Sequence, residues 1–342
     1  MESWNNKRIL ITGVCGAVGA ELLRQTMALP VAEIIGIDNN ESQLFFLDEE
    51  SRGDKRVRLY LGDVRDRDKL IRKTEGMDII IHAAALKHVI LCERSPRDAV
   101  LTNIMGVQNV IDAAIENRVK RALFTSSDKA VNPTNVMGTS KLMGERLMTA
   151  ANALKRGGGP VFASTRFGNI LGSTGSVIPL FRKQIQDGGP VTLTDERMTR
   201  FIMTIGQAVK LVLDTVFMAR GGEVFVTKMP VVRIRDLAAV MVEVLAPRFG
   251  HKPKDIDIWL AGAKPGEKLY EELLSDEETR RTVELKDYFA VLPAFKSVYE
   301  DISYDYPGKK DGGKAIRAYN SLTEKAMAAE ELARFLVEGK LI

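Results

Sequence analysis

The chain has 342 residues, of which 45% are hydrophobic and 27% charged, and this is the composition of a soluble globular protein of one large domain or slightly more. Its net charge of +4 is small beside 49 basic and 45 acidic residues, so it lacks the concentrated positive charge of a nucleic-acid-binding protein and favours phosphate-bearing small molecules only slightly. The 2 cysteines and 3 histidines show no ligand spacing, which predicts neither a disulfide framework nor a metal site.

The segment before the first apolar run is polar, and no apolar stretch reaches the length needed to cross a bilayer. This pattern predicts no secretion signal and no membrane insertion. Cys15 and Cys92 are expected to be free thiols, and we expect a cytoplasmic, reducing environment.

Short apolar runs alternate with longer amphipathic segments through the first half of the chain. The predicted strands are 8–12, 33–38, 58–62, 77–82 and 121–125. The predicted helices between them are 19–29, 66–74 and 99–117. Nearly continuous apolar strands that alternate with helices predict a parallel sheet covered on both faces, which is the doubly wound α/β (Rossmann) architecture.

The pattern loosens after about residue 165. The predicted elements there are a strand over 161–165, helices over 176–186 and 204–218, a strand over 223–226, and short mixed elements from 228 to 320. We interpret residues 1–168, with 201–227 returning to them, as the Rossmann domain. Residues 169–200 and 228–320 form a smaller mixed lobe in this interpretation, and 321–342 a C-terminal helix.

The loop Thr-Gly-Val-Cys-Gly-Ala-Val-Gly over residues 12–19 follows the first strand and opens the first helix. Glycines at this junction allow a tight turn and a close approach of the backbone to a pyrophosphate, which the helix N-terminus then meets. A purely structural turn is the alternative, but the strand-turn-helix context favours binding of a dinucleotide cofactor. The residues expected to contact it are Gly13, Cys15, Gly16, Ala17, Val18 and Gly19.

Asp38 ends the second predicted strand, and no Arg or Lys follows it within residues 39–41. An acid at this place accepts hydrogen bonds from both ribose hydroxyls of the adenosine and repels a 2′-phosphate. The sequence therefore predicts NAD rather than NADP, and an exposed strand-end acid is the alternative interpretation.

Further cofactor contacts are expected after the third and fourth strands. Asp63 is placed to reach the adenine amino group and Val64 to pack on the ring, although Asp63 is also a good helix N-cap. The small side chains of Ala83, Ala84 and Ala85 let the backbone approach the cofactor closely.

The most informative stretch, residues 125–141, reads TSSDKAVNPTNVMGTSK and begins at the carboxyl end of the fifth strand, where ligands bind in this architecture. With it, the chain resembles the extended short-chain dehydrogenases/reductases. More narrowly, it resembles the CapD-like nucleotide-sugar 4,6-dehydratases of bacterial polysaccharide biosynthesis, which are of the UDP-GlcNAc 4,6-dehydratase type. The motifs that carry the resemblance are TGVCGAVG, HAAALKHV, TNIMGVQNV, SSDKAVNPTNVMGTSK, RFGNILGSTGSVIP, ERMTRF and PGEKL.

One departure from the superfamily pattern concerns the base. Short-chain dehydrogenases usually carry Tyr-x-x-x-Lys, whereas this chain has Met137-Gly-Thr-Ser-Lys141. Methionine cannot titrate, and this weighs against a simple dehydrogenase and against most sugar 4-epimerases. The methionine resembles that of large membrane-anchored dehydratases, and the chain is similar to their catalytic part on its own.

The resemblance implies an NAD-dependent lyase that oxidises C4 of a hexose, removes water across C5 and C6, and returns hydride to C6. Elimination needs an acid near the C6 hydroxyl and a base near C5, and the resemblance gives these roles to Asp128 and Lys129. Lys141 is expected to hold the nicotinamide ribose and Ser127 to relay the C4 proton. The identity of the C4 base stays open, since Met137 is as readily explained by packing. For Asp128 and Lys129, the alternative interpretation is an Asp-Lys pair that caps a turn.

The resemblance also assigns substrate contacts. Arg200 is expected to bind the diphosphate, because a guanidinium matches phosphate in a bidentate manner. Ser176 and Val177 open a helix whose free N–H groups suit phosphate. The other assignments are Lys87 to cofactor or sugar, His88 to the substrate, Asn103 and Ser126 to the cofactor, Asn169 to the diphosphate or the sugar, Thr194 to the base and Glu267 to the nucleoside.

The resulting hypothesis is a homo-oligomeric enzyme whose Rossmann domain binds NAD and whose smaller lobe binds a UDP-N-acetylhexosamine. An epimerase of the same subfamily is one alternative, and a non-catalytic NAD-binding regulator is another. The nucleotide, the sugar and the configuration at C5 stay open at this level.

Overall fold

The computed structural model describes residues 3–154, 159–172, 176–262, 266–295, 302–314 and 317–342, with all their side chains except those of 309–314. The chain forms two compact units. Unit 1 consists of Met1–Phe167, Val209–Thr227 and Asp276–Arg317, and unit 2 of Gly168–Ala208, Lys228–Ser275 and Ala318–Ile342. Residues 276–317, which the sequence pattern placed in the smaller lobe, belong to unit 1 because their strands join its sheet. Residues 201–208, which the pattern placed in the Rossmann domain, belong to unit 2.

The strands alternate with helices through most of the chain. The strands are β1 (Arg8–Thr12), β2 (Glu33–Asp38), β3 (Val57–Leu61), β4 (Ile79–His82), β5 (Arg121–Ser127), β6 (Val161–Phe167), β7 (Asn169–Ile170), β8 (Val191–Leu193), β9 (Thr199–Met203), β10 (Val224–Thr227), β11 (Val231–Arg233), β12 (Ile258–Leu260), β13 (Glu272–Leu274), β14 (Thr282–Leu285), β15 (Tyr288–Val291), β16 (Lys309–Lys314) and β17 (Tyr319–Asn320). The helices are α1 (Ala17–Met27), α2 (Glu41–Ser51), α3 (Arg67–Thr74), α4 (Val89–Arg94), α5 (Pro96–Ala99), α6 (Gly106–Glu116), α7 (Val136–Leu154), α8 (Val177–Gln186), α9 (Ile205–Met218), α10 (Ile234–Leu245), α11 (Asp276–Thr279) and α12 (Ala329–Glu338).

The strands of unit 1 form one sheet in the order β16-β14-β15-β10-β6-β5-β4-β1-β2-β3. The stretch from β3 to β10 is parallel, and β15, β14 and β16 add an antiparallel extension at one edge. The order 3-2-1-4-5-6 within it is that of the doubly wound fold, so the predicted fold class is confirmed.

The central strands are buried because helices cover both faces of the sheet. Ile9, Leu10 and Ile11 of β1 are at most 1% exposed, and so are Ile79–Ile81 of β4. One core cluster of unit 1 joins Leu10 and Ile80 to apolar residues of α3 and α6. Because β1 and β4 are neighbours with connections that leave in opposite directions, the crevice at their carboxyl ends is the place where this architecture binds ligands.

Unit 2 is built around helices with three small sheets, whose orders among the described residues are β11-β9-β7, β12-β8 and β13-β17. Its core cluster packs α8, α10 and α12 through residues such as Phe181, Met241 and Leu336. The sequence pattern predicted only short elements in the region of helix α10, and the presence of this 12-residue helix shows that the prediction was wrong there.

The helix predicted over 99–117 is divided. Its first part, Val100–Met105, is a π-helix, and α6 continues from Gly106. Among the described residues, no helix is long and apolar enough to span a membrane. The same residues contain no group of three or more His, Cys, Asp or Glu side chains placed to hold a metal ion.

Candidate active site

The glycine loop lies at the carboxyl end of β1. Gly13 has a φ of +71°, and a Cβ on it would lie 2.5 Å from backbone atoms of Ala84. Only glycine therefore lets this loop pack against the segment that follows β4. Gly16 precedes α1 without a side-chain cap, and Gly19 packs in the first turn against the carbonyl of Gly13. The first amide groups of α1, including those of Ala17 and Val18, are left for a bound anion.

Asp38 is fixed beside the glycine loop. Its carboxylate accepts hydrogen bonds from the amide of Cys15 at 2.9 Å and from the amide of Asn40 at 2.9 Å. Burial, reinforced by the negative charge of Asp38, raises the pKa of the Cys15 thiol to about 12. Cys15 is therefore a protonated, unreactive filler in the loop, as its small size suggested.

Asp63 lies next to the same end of the sheet, because Asn39 donates to its carboxylate at 3.2 Å. Arg65 holds that carboxylate with its Nη2 at 2.6 Å, and this hydrogen bond lowers the pKa of Asp63 to about 2. Val64 is 5% exposed and belongs to the core of unit 1, and its carbonyl accepts from Asn109 at 2.9 Å. The side chain of Val64 thus packs inward, while Asp63 remains an accessible anion near Asp38.

The segment after β4 is shaped by Asn103. This side chain is 1% exposed, accepts from the amide of Leu86 at 2.8 Å, and donates to the carbonyl of Leu86 at 2.9 Å and to Ser140 Oγ at 2.9 Å. Asn103 therefore anchors the backbone that follows Ala83–Ala85, rather than presenting its amide to a ligand. The alanines are partly buried, and Ala83 donates to the carbonyl of Thr12 at 3.1 Å.

Lys87 and His88 follow this anchored backbone. Both are exposed, and His88 precedes α4 without forming a side-chain cap. Desolvation by its surroundings lowers the pKa of Lys87. Both residues follow β4 at the carboxyl edge of the sheet, and their roles stay predictions.

The three residues after β5 form a tight polar cluster. Asp128 is fully buried, and its Oδ1 accepts from Ser127 Oγ at 2.7 Å and from Lys129 Nζ at 3.1 Å. The other oxygen, Oδ2, is buried without a hydrogen-bond partner among the described residues, and so is Ser126 Oγ. A buried carboxylate oxygen without a donor is costly, so this arrangement suits a ligand hydroxyl at Oδ2.

Lys141 projects from α7 into the interior next to β5. Its Nζ donates to the carbonyl of Thr125 at 2.9 Å and lies 4.7 Å from the centre of the Phe124 ring. Burial lowers the pKa of Lys141 to about 8, against an opposing effect of Glu145. Lys141 is thus a buried cation at the carboxyl end of β5, and it loses its proton in mildly basic solution.

Met137 does not titrate and packs instead. It is 3% exposed in an apolar cluster with Cys92 and Ala99. The next residue, Gly138, was not singled out from the sequence, yet a Cβ there would lie 2.2 Å from the carbonyl oxygen of Lys129. This glycine brings the start of α7 against the acid–base segment, which explains why it stands between Met137 and the lysine.

In unit 2, Arg200 is 5% exposed and already held by the protein. Its guanidinium donates to the carbonyls of Thr199 and Lys268, both at 2.8 Å, and lies 3.8 Å from Glu267 and 3.7 Å from Glu271. Arg200 and Glu267, which the sequence predicted separately, therefore come together. The two neighbouring carboxylates offset much of the charge that Arg200 would offer to a diphosphate.

The remaining predicted substrate residues are also in unit 2. Asn169 is in β7, which pairs with β9, and Thr194 follows β8; both are partly buried. Ser176 precedes α8 without capping it, and its Oγ is buried without a partner among the described residues. Val177 begins α8 and packs against the core of this unit.

Two buried pairs in unit 1 escaped sequence analysis. Thr12 Oγ1 and His82 Nδ1 are 2.6 Å apart, and burial, followed by the charge of Lys141, lowers the pKa of His82 to about 3. His82 is therefore a neutral packing residue between β1 and β5. The second pair joins Arg166 to Glu145, with a 2.6 Å contact, and neither side chain is more than 3% exposed.

The chain matches the family model described as polysaccharide biosynthesis protein over residues 9–293. A protein of Methanocaldococcus jannaschii described as an uncharacterized membrane protein is 47% identical over 98% of this chain and 96% of its own. A UDP-N-acetylglucosamine 4,6-dehydratase (inverting) of Campylobacter jejuni is 36% identical over 96% of each chain. A UDP-glucose 4-epimerase of Rickettsia akari is also 36% identical, over 97% of this chain and 96% of its own.

Solved structures agree with these relatives. The X-ray structure of Pen from Bacillus thuringiensis covers 100% of both chains with a TM-score of 0.91 and 38% identity. A dTDP-glucose 4,6-dehydratase from Streptomyces venezuelae, solved with NAD and TYD bound, covers 77% of this chain and 86% of its own, with a TM-score of 0.66 and 24% identity; this likeness concerns the fold. By the match of its sequence over most of its length, the chain belongs to the family of polysaccharide biosynthesis proteins.

Proposed function

We propose that the protein is an NAD-dependent nucleotide-sugar 4,6-dehydratase, which removes water from UDP-N-acetylglucosamine or a close relative. The observation that carries this proposal is the buried Asp128, whose Oδ1 contacts Lys129 and whose Oδ2 is without a partner among the described residues. An acid and a base adjacent to each other at the carboxyl end of β5 match the two proton transfers of an elimination.

The glycine loop and Asp38 fit NAD. Gly13 leaves room where a Cβ would strike Ala84, α1 begins with uncapped amide groups, and Asp38 is an anion fixed beside them. When bound, NAD supplies a hydride acceptor for the sugar and afterwards the same hydride for return. An anionic Asp38 with no basic neighbour in residues 39–41 favours the free 2′-hydroxyl of NAD over the phosphate of NADP.

Elimination follows from the tautomers of the Asp128–Lys129 pair. One proton is shared across the 3.1 Å contact between Lys129 Nζ and Asp128 Oδ1, and its transfer to Asp128 leaves Lys129 as a free amine. The amine removes the C5 proton, which is acidic beside a C4 carbonyl, and Asp128 protonates the departing C6 hydroxyl. The electron pair of the C5–H bond forms the C5–C6 double bond, and the C6–O bond breaks with loss of water.

Lys141 supports the site as a cation. Its ammonium is fixed on the carbonyl of Thr125 and is available to hydrogen-bond ribose and stabilise oxyanions. Ser127, in contact with Asp128 at 2.7 Å, connects the acid–base pair to the C4 hydroxyl. Met137 is buried and apolar, and it supplies no proton transfer.

The name of the Campylobacter relative supports the choice of UDP-N-acetylglucosamine, at 36% identity over nearly the whole chain. The name of the Rickettsia relative, at the same identity, supports an epimerase as the second candidate. The missing tyrosine argues against the epimerase, because most sugar 4-epimerases use a titrating tyrosine where this chain has Met137.

The purified protein is incubated with UDP-N-acetylglucosamine, and the nucleotide sugars are separated by liquid chromatography and weighed. We expect a product lighter by one water, and we expect Asp128→Asn to lower its rate by about 10²–10⁴-fold, because the amide keeps the shape but supplies no acid. A product of unchanged mass and altered retention identifies the epimerase. No turnover of UDP-, GDP- or dTDP-sugars overturns both candidates.

A further inference from the structure

Three charged side chains form a buried cluster behind the acid–base segment. Arg166 donates to Glu145 through Nε at 3.0 Å and through Nη2 at 2.6 Å. It donates to Glu278 through Nη1 and Nη2, both at 3.0 Å. The three side chains are 1%, 3% and 6% exposed, for Arg166, Glu145 and Glu278 respectively. Glu278 also lies 3.7 Å from Arg281, which is 10% exposed. Arg166 is thus the guanidinium that joins the two carboxylates, away from solvent.

Glu145 also belongs to the surroundings of Lys141. The two residues are four positions apart on α7, a spacing that places side chains on the same face of a helix, and both are buried. Together with Arg166 and Glu278 they make two positive and two negative charges in the interior of unit 1. Glu278 has Arg281 as a second cationic neighbour, whereas Glu145 shares Arg166 and has Lys141 on the same face of its helix. Glu145 is therefore the carboxylate of this cluster that stabilises an ammonium at Lys141.

The other described groups that act on Lys141 are uncharged. His82 of β4 is uncharged, since burial lowers its pKa to about 3. Cys92 of α4 is a buried thiol whose pKa is raised by that burial. From β5, Lys141 meets the carbonyl of Thr125 and the ring of Phe124. Glu145 is therefore the permanent negative charge among the described groups that act on Lys141.

We propose that Glu145, Arg166 and Glu278 act as a positioning unit that keeps Lys141 an ammonium ion in the reaction site. Arg166 fixes the carboxylate of Glu145, and Glu278 fixes Arg166 from a segment more than a hundred residues away in sequence. Without this charge, burial favours the neutral amine of Lys141. The inference rests on the proposed function only for what Lys141 does, and not for its protonation state.

The test is a direct titration of Lys141 by NMR. The full chain is labelled with ¹³C at the lysine Cε, and the signal of Lys141 is identified by its loss in Lys141→Met. Burial already brings the pKa of Lys141 down to about 8. We expect Glu145→Gln to lower the pKa of Lys141 by about one to two further units, because the amide keeps the shape of the side chain and removes its charge. We expect Glu145→Asp, which shortens the side chain and keeps the charge, to stay within about half a unit of the wild type.

A structural role alone would make the aspartate variant at least as disruptive as the glutamine variant. The control is Glu49→Gln, because Glu49 of α2 is 45% exposed and pairs with Arg52, outside this cluster. Circular dichroism confirms folding, and Glu278→Gln, expected to lower the pKa of Lys141 less than Glu145→Gln, provides a second variant. The proposal is overturned if Lys141 has the same pKa in the wild type, in Glu145→Gln and in Glu278→Gln. It is also overturned if Glu145→Asp and Glu145→Gln shift the pKa of Lys141 equally.

Activity is a separate readout. If the protein turns over a nucleotide sugar, the alkaline limb of kcat moves to lower pH in Glu145→Gln together with the NMR titration. If it turns over none, the proposed function fails, whereas the titration of Lys141 still decides the role of the cluster of Glu145, Arg166 and Glu278.

Discussion

Replacement of Arg166 by methionine tests whether the buried cluster with Glu145 and Glu278 stabilises the fold. The guanidinium makes four hydrogen bonds to two carboxylates that are 3% and 6% exposed. Arg166→Met removes the cation that bridges them, although Glu278 keeps Arg281 at 3.7 Å. Breaking a buried ion pair from one side costs about 3–5 kcal/mol of unfolding free energy. With a urea m-value of about 3 kcal/mol/M, the unfolding midpoint falls by about 1–1.7 M.

The assay is equilibrium unfolding in urea, followed by circular dichroism. Arg67→Met is the matched control, because Arg67 also contacts two carboxylates, Asp112 at 3.1 Å and Glu116 at 3.6 Å, but is 49% exposed. We expect that control to lose about 0–1 kcal/mol. A loss in Arg166→Met no larger than that of Arg67→Met would refute the reasoning.

The remaining predictions concern the cofactor loop and Lys141. Gly13→Ala places a Cβ 2.5 Å from the backbone of Ala84 and should weaken NAD binding more than tenfold by calorimetry, whereas Gly53→Ala, with nothing within 4 Å, should leave it unchanged. Asp38→Ser removes the charge that repels a 2′-phosphate and should raise the affinity ratio of NADP to NAD; an unchanged ratio would contradict the assigned role. The ammonium of Lys141 is the active form in the proposed reaction, and its pKa is about 8. The turnover rate should therefore be at its maximum below that pH and fall as the pH rises through it. A turnover rate that stays constant up to about pH 10 would contradict a role for the Lys141 ammonium.

The sheet and the cofactor loop were predictable because burial leaves a simple signature. Parallel strands covered on both faces need continuous apolar runs, and the predicted strands over 8–12 and 33–38 have the same bounds as β1 and β2. The glycine at position 13 is required by its backbone conformation and by the close approach of Ala84. Local sequence therefore determines this part of the structure.

The helices were less evident where their apolar residues do not form a face. In α2 only Leu44 and Ser51 are buried, while Phe45 and Phe46 are about 60% exposed, so the segment has no helical periodicity to recognise. Helix α10 is different, since Leu237, Met241 and Leu245 are buried at a spacing of four residues. This spacing of apolar residues is present in the sequence and is typical of a helix with one buried face.

The site shows the same division between local and distant contacts. Ser127, Asp128 and Lys129 are consecutive, so a motif alone placed them together. Arg166 lies 21 residues from Glu145 and 112 from Glu278, and no motif joins them; only the fold brings these charges into contact. A buried arginine in a strand is a sign that acidic partners exist, but the sequence does not say which they are.

Incubation with UDP-N-acetylglucosamine in deuterium oxide, followed by mass spectrometry, tests the elimination by Asp128 and Lys129 most directly. The lysine ammonium carries three exchangeable protons, so about two-thirds of those it returns to C5 are deuterons even within one closed turnover. We expect a product that has lost one water and carries deuterium at C5 in about two-thirds of its molecules, formed about 10²–10⁴-fold more slowly by Asp128→Asn. Loss of water without deuterium at C5, or an unchanged mass, would contradict removal of the C5 proton by Lys129.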